Sequence, residues 1–175
     1  YAVGLDGIGL TMVALSAFLV PVCVLAAWNQ FDVYPDPDVD PEYRIPVQVD
    51  ARSKHFFALI MILETFMIGV FAARDVFLFY VFFEAMLVPV YFLIGMFGGT
   101  HRRYAAVKFL IYSLFGGLIM LAAVIGLYVA GPGGEQGFLT ENLTGLDFSS
   151  GTVDRLLFAG FFFAFAVKAP MWPVH

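Results

Sequence analysis

Long apolar segments alternate with polar or glycine- and proline-rich stretches along the chain. Five such segments run over residues 8–28, 56–73, 76–97, 105–130 and 154–169. A helix needs roughly 20 residues to cross about 30 Å of hydrocarbon, and the first four segments reach that length. The fifth is shorter, and Pro170 and Pro173 predict that its helix breaks just after Lys168. The pattern therefore predicts an all-α, polytopic bundle of five transmembrane helices, the last of them broken.

The composition supports a membrane protein and removes other classes of function. Of the 175 residues 61% are hydrophobic and 13% are charged, whereas soluble domains are about a quarter charged. The net charge of −5 comes mainly from loops and argues against a nucleic-acid partner. Cys23 is the single cysteine, so this chain alone cannot build a disulfide, zinc site or iron–sulfur site. The sequence also lacks a Gly-rich phosphate loop and a Ser/His/Asp arrangement, so we expect no catalytic residue in this chain.

Basic residues in the loops predict the orientation of the bundle, because Lys and Arg accumulate on the cytoplasmic side. By alternation, an acidic loop over 29–55 shares one side with residues 101–103, and the loop over 131–153 lies on the other. The first side holds five basic residues and the second holds two, namely Arg44, Arg52, Lys54, Arg102 and Arg103 against Arg74 and Arg155. We therefore place loop 29–55 in the cytoplasm. We reject a calcium site there, because Pro41 and Val47 stand where a calcium loop needs Gly and Glu.

Glu84 is the first of two charges that a simple membrane anchor would not need. It lies nine residues beyond Asp75, about 13 Å along a helix and close to mid-membrane. Tyr80 and Tyr91 give the same helix a thin polar stripe, and Pro89 loosens the backbone beside it. A protonated glutamic acid that merely joins helices is the alternative. We favour a functional group, since Gln or Ser would join helices without a titratable proton.

Lys168 is the second such charge. It lies 14 residues beyond Asp154, about 21 Å along the helix, too deep to reach the outer surface. The break at Pro170 frees backbone carbonyls next to it, as broken helices do at the ion sites of transporters. A structural lysine at the cytoplasmic end is the alternative.

Three further titratable residues are weaker candidates. Lys108 lies near the cytoplasmic end of the fourth segment, where it could either act in transport or reach the interface as an anchor. Glu64 is mid-span, but no polar neighbour marks a path from it. His175 closes the chain after the double-proline break, and its titration range suits a proton relay. The chain starts without Met and stops without a polar tail, so we expect a piece of a longer protein.

Four stretches resemble the antiporter-like subunit M of respiratory complex I, the proton-pumping NADH:quinone oxidoreductase. Residues 79–91, FYVFFEAMLVPVY, are similar to its glutamate-bearing fifth span. Residues 105–112, AAVKFLIY, resemble the start of its sixth span, and residues 164–175, AFAVKAPMWPVH, its broken seventh span. The opening LDGIGL at residues 5–10 is similar to the motif that opens the third span. The resemblance covers nearly the whole chain except the acidic loop.

The resemblance implies spans three to seven of a subunit of about fourteen spans built from two inverted repeats. It assigns the first charge pair of a proton path to Glu84 and Lys168, and it adds Lys108 and His175 as further proton-translocating residues. It also implies a bacterial plasma membrane location and other membrane subunits as partners, besides lipid and protons. NADH, FMN, iron–sulfur clusters and quinone would belong to other subunits, with no cofactor or metal in this chain.

Three alternatives remain open at this point. The large subunits of multisubunit cation/proton antiporters share the glutamate and the broken-helix lysine. The sister subunits of complex I differ around the seventh-span lysine. A non-conducting scaffold subunit would tolerate Gln at Glu84 and Met at Lys168.

Overall fold

The structure of the chain is a computed structural model that describes residues 1–30, 32–33, 48–49, 52–134, 136–144 and 151–174. Most of the acidic loop 29–55, including residues 36–47 where a calcium site was considered, lies outside the described residues. His175 lies outside them as well, so its predicted role in a relay stays a prediction.

Helices dominate the described residues, as the apolar pattern predicted, and the all-α class is confirmed. A two-residue antiparallel ladder inside the loop between the first two long helices pairs Asp32 with Val49. In chain order the elements are α1 Gly7–Ala26, β1 Asp32–Val33, β2 Gln48–Val49, α2 Arg52–Ala72, α3 Val76–Ala85, α4 Leu87–Phe97, α5 Arg102–Ala130, α6 Thr140–Leu143 and α7 Gly151–Lys168.

Four stretches of the described chain are long and apolar enough to cross a membrane, namely 7–26, 52–72, 76–97 and 102–130. The helix α7 has 18 residues but carries three charged ones, Asp154, Arg155 and Lys168. Large apolar side chains face outward, for instance Leu25, which is 70% exposed. A water-soluble protein would bury such side chains, whereas lipid or a neighbouring membrane protein can cover them. These features confirm a polytopic membrane domain.

The third predicted span consists of two helices that meet at Met86. Pro89 has no N–H to donate to the carbonyl of Ala85, and its ring crowds that carbonyl. The helix α3 therefore ends at Ala85 and α4 begins at Leu87, while Met86 keeps right-handed helical dihedral angles. The span continues through this point with a weakened backbone immediately after Glu84.

Local sequence signals explain where the other helices begin and end. The side chain of Asp75 accepts hydrogen bonds from the backbone N–H groups of Phe77 and Leu78 and so caps the start of α3. Asp6 caps α1 in the same way. The helix α7 ends at Lys168, directly before the predicted break at Pro170. The predicted end of the fifth helix is thus confirmed.

The helix α5 is the centre of the bundle and packs against α3, α4 and α7, while α2 packs against α1, α3 and α4. The core between α2, α3, α5 and α7 contains the buried side chains of Val70, Phe83, Met120, Val124 and Ala164. Both α3 and α7 contribute to this core, through Phe83 and Ala164.

Three chain segments pair by backbone hydrogen bonds at the end of the bundle where α3 begins. Val3 pairs with Ala73, and Asp75 pairs with Leu139, both antiparallel. The N–H of Val76, the first residue of α3, donates to the carbonyl of Phe138 at 2.9 Å. We call these segments, residues 2–4, 72–76 and 138–140, the three-segment strap. It fixes the N-terminal end of α3 to its neighbours.

Candidate functional site

Glu84 and Lys168 face each other at the C-terminal ends of α3 and α7. The Nζ atom of Lys168 lies 3.9 Å from Oε1 of Glu84. Their side chains are 15% and 20% exposed, so both charges are largely withdrawn from the surface. The distance is within reach of Coulomb attraction but longer than a hydrogen bond. The two residues selected from the sequence are therefore brought together by the fold.

The carboxylate of Glu84 is enclosed by α5. Both of its oxygens are buried, and neither accepts a hydrogen bond within the described part of the chain. The carboxylate lies so close to Gly117 that a Cβ atom there would overlap it. A buried carboxylate without a donor is costly, so the nearby ammonium is its main compensation. Gly117 thus creates the space in which Glu84 approaches Lys168.

Lys168 makes its closest contacts with Phe83, the residue before Glu84. Its Nζ atom donates a hydrogen bond of 3.0 Å to the carbonyl oxygen of Phe83 and lies 4.0 Å from the centroid of the Phe83 ring. The ring of Phe165 in α7 contacts Phe79 and Phe83 in α3. The earlier residue of α3, Phe79, contacts Phe165, and the later residue, Phe83, contacts Lys168, which follows Phe165 in α7. The two helices therefore run in the same direction.

Lys108 lies away from the charge pair, on the opposite face of α5. It precedes Gly117 by nine positions. At about 100° per residue these positions make roughly two and a half turns, so the two residues lie on opposite faces of α5. Its Nζ atom is 5.9 Å from the ring centroid of Tyr104, and its side chain is exposed. One turn further, the hydroxyl of Tyr112 donates to the carbonyl of Val174. The face of α5 that carries Lys108 therefore contacts the segment that follows the α7 break.

Glu64 lies in α2 and is half-buried. The helix α2 contacts α3, which carries Glu84, but Gly117 and Lys168 are supplied by α5 and α7. The structure therefore gives no reason to add Glu64 to this site.

Sequence reasoning missed two residues of the site, Phe83 and Gly117. A partial signal existed for Gly117, because it forms a Gly–Gly pair with Gly116 in the middle of an apolar helix, which indicates close approach of another group. Phe83 carried no signal, since a phenylalanine in an apolar span is the expected residue. Its contact with Lys168 depends on the relative placement of two helices.

Comparison with known proteins agrees with this architecture. The sequence profile of the family described as "NADH:quinone oxidoreductase/Mrp antiporter, TM" matches residues 73–175. NADH-quinone oxidoreductase subunit M of Mycobacterium tuberculosis (strain CDC 1551 / Oshkosh) is 44% identical over 193 residues, which include all of this chain and 35% of that protein. Subunit M of Rhodobacter capsulatus is 38% identical over 187 residues, which include all of this chain and 32% of that protein.

A solved structure of respiratory complex I from Thermus thermophilus with bound NADH contains a chain with a similar fold. The TM-score is 0.62 and the sequence identity 38%, and the match covers 69% of this chain and 25% of that chain. This chain spans about a third of the length of the curated relatives named above. The family profile covers more than half of the chain, and it includes both Glu84 and Lys168. The chain therefore belongs to the NADH:quinone oxidoreductase/Mrp antiporter transmembrane family.

Proposed function

We propose that the chain is part of a proton-translocating membrane subunit of an NADH:quinone oxidoreductase. In this proposal Glu84 and Lys168 form the charge pair of a proton half-channel. The observation that carries it is the 3.9 Å approach of a buried carboxylate, which has no hydrogen-bond partner among the described residues, to an ammonium at a helix break. The relatives named as subunit M of such enzymes support the same assignment.

The geometry supports a simple cycle. At 3.9 Å and an effective dielectric constant near 20, an ionised Glu84 stabilises a protonated Lys168 by about 4 kcal/mol. Screening or moving the glutamate charge removes that stabilisation, and about 4 kcal/mol corresponds to roughly a thousandfold change in proton binding. Lys168 would accept a proton from the cytoplasmic side and pass it on when Glu84 no longer compensates its charge. Lys108 and His175 are candidates for neighbouring steps.

The proposal also covers the membrane, the neighbouring subunits and the cofactors with which the chain works. We expect it to work with other membrane subunits in a bacterial plasma membrane, with loop 29–55 in the cytoplasm. We also expect NADH, FMN, iron–sulfur clusters and quinone to be bound by other subunits.

Removing either charge from the full subunit tests the proposal. Lys168→Ala and Glu84→Ala should each lower the number of protons pumped per NADH oxidised by the whole complex in proteoliposomes. Glu141→Ala is the matched control, because this glutamate pairs with Arg74 at the surface and is 71% exposed. We expect Glu141→Ala to pump normally.

Unchanged proton stoichiometry in both Lys168→Ala and Glu84→Ala would contradict the proposal. Normal transport with Lys168→Met and Glu84→Gln would instead favour a non-conducting scaffold subunit. Because the matching family also includes the Mrp antiporters, pumping should be measured with and without sodium. A strict sodium requirement would favour the antiporter function.

A further inference from the structure

The ammonium of Lys168 is held by α3 at two places, and Glu84 is the more distant of them. The Nζ atom lies 3.0 Å from the carbonyl oxygen of Phe83 and 3.9 Å from the carboxylate of Glu84. The same Nζ atom also lies 4.0 Å from the centroid of the Phe83 ring. One residue therefore supplies the direct hydrogen bond and an aromatic face.

The carbonyl of Phe83 can accept this bond because α3 ends early. The last four carbonyls of a helix have no partner inside that helix, and Phe83 belongs to the last four residues of α3. The early end follows from the fully buried Pro89, which cannot donate to the carbonyl of Ala85. The carbonyls at a helix C-terminus also carry partial negative charge, which attracts a cation such as Lys168.

Packing on both sides keeps the Phe83 ring in place. The ring stacks on Phe79 with a centroid distance of 5.5 Å and meets Phe165 edge-on at 5.7 Å. Phe83 itself is 8% exposed, so its interaction with a cation is only weakly screened by water. A neutral amine would lose the attraction to the ring and most of the attraction to the carbonyls. The site therefore distinguishes a protonated lysine from a neutral one.

We propose that Phe83 is a positioning residue that holds the protonated Lys168 at the C-terminal end of α3, so that the charge of Glu84 acts on a cation already in place. The proposal rests on the proposed function, in which Lys168 carries the transported proton. It adds a defined position for the loaded lysine, and it predicts that losing the proton releases the lysine from α3.

The test uses the whole complex in proteoliposomes and measures protons pumped per NADH oxidised. Phe83→Leu removes the ring, and we expect pumping to fall, because about 1 kcal/mol of lost cation–π attraction corresponds to roughly fivefold weaker proton binding by Lys168. Phe83→Tyr restores an aromatic face and should pump like the original protein. Phe77→Leu is the matched control, since this half-buried ring of the same helix packs against Phe138, near the opposite end of α3.

A second variant tests the hydrogen bond from Lys168 to the carbonyl of Phe83. Its result does not depend on the stability of Phe83→Leu. Pro89→Ala supplies the missing N–H group and favours a continuous helix, so it should lower pumping while the complex still assembles. Normal pumping by both Phe83→Leu and Pro89→Ala would overturn the inference, as would equal losses in Phe77→Leu and Phe83→Leu. Lys168→Ala separates the two proposals. If that variant loses pumping while the Phe83 and Pro89 variants retain it, the positioning role fails and the proposed function stands.

Discussion

The glycine at position 117 provides the sharpest test of the geometry of the charge pair. Gly117 lies in the middle of α5 and is buried against the carboxylate of Glu84. In Gly117→Ala the new methyl group would overlap the carboxylate, so the glutamate side chain has to move. Alanine is a better helix former than glycine by about 1 kcal/mol, so the change does not weaken α5 itself.

The size of the effect follows from the direction in which Glu84 can move. An ordinary contact with the new methyl group requires a shift of roughly 1.5 Å. Movement toward Lys168 can close only about 1 Å before the N···O distance reaches about 2.8 Å, so we expect the carboxylate to move away by about the required shift. At an effective dielectric constant near 20, this lowers the attraction from about 4 to about 3 kcal/mol. A loss of about 1 kcal/mol corresponds to roughly a fivefold weaker hold on the proton.

The assay is proton pumping per NADH in proteoliposomes that contain the whole complex, with complex content measured in the same membranes. We expect Gly117→Ala to assemble normally and to pump fewer protons per NADH than the original protein. Gly95→Ala is the matched control in a neighbouring transmembrane helix. A methyl group there would lie 3.6 Å from Cβ of Ala106, an ordinary van der Waals contact. The reasoning is refuted if Gly117→Ala pumps as well as Gly95→Ala.

Three further predictions concern stability and can be measured by denaturation of the full subunit in mixed micelles. Met120→Ala empties a fully buried core position and should lower the free energy of unfolding by about 2–5 kcal/mol, whereas a loss below about 1 kcal/mol would contradict the observed packing. Asp75→Ala removes the cap of α3 and should cost about 1 kcal/mol, while Asp75→Asn, which can still accept these bonds, should cost clearly less. Arg74→Ala breaks an exposed ion pair with Glu141 and should change the free energy of unfolding by less than about 1 kcal/mol; a larger loss would show that the pair is more than a surface contact.

The long helices could be predicted from the sequence because lipid imposes a simple length and polarity rule. The helices α1, α2 and α5 cover most of the apolar segments that predicted them, and α7 ends where Pro170 required. The interruption at Met86 was only partly foreseen. Pro89 signalled a loosened backbone, but whether a proline bends a span or divides it depends on packing against neighbouring helices.

The site itself could be predicted only in part. Glu84 and Lys168 were identifiable because charges are costly in hydrocarbon and need a reason. The approach of Gly117 to Glu84, and of Lys168 to Phe83, depends on the rotation and depth of packed helices, which composition and periodicity do not determine. The same limit applies to Lys108. Its sequence position suggested a place near the path, whereas the rotation of α5 directs it to the opposite face.

The three-segment strap has a consequence for how the charge pair can change its geometry. Backbone hydrogen bonds hold the first residues of α3 to the segments around Val3 and Leu139. One end of this ten-residue helix is therefore fixed, and its other end, which carries Glu84, adjoins the interrupted backbone at Met86. The helix α3 is thus held in place at its N-terminal end, and its C-terminal end adjoins a backbone that can bend. Rigid sliding along its axis would break the strap, so changes in the distance between Glu84 and Lys168 should arise from bending near Met86 or from movement of α7.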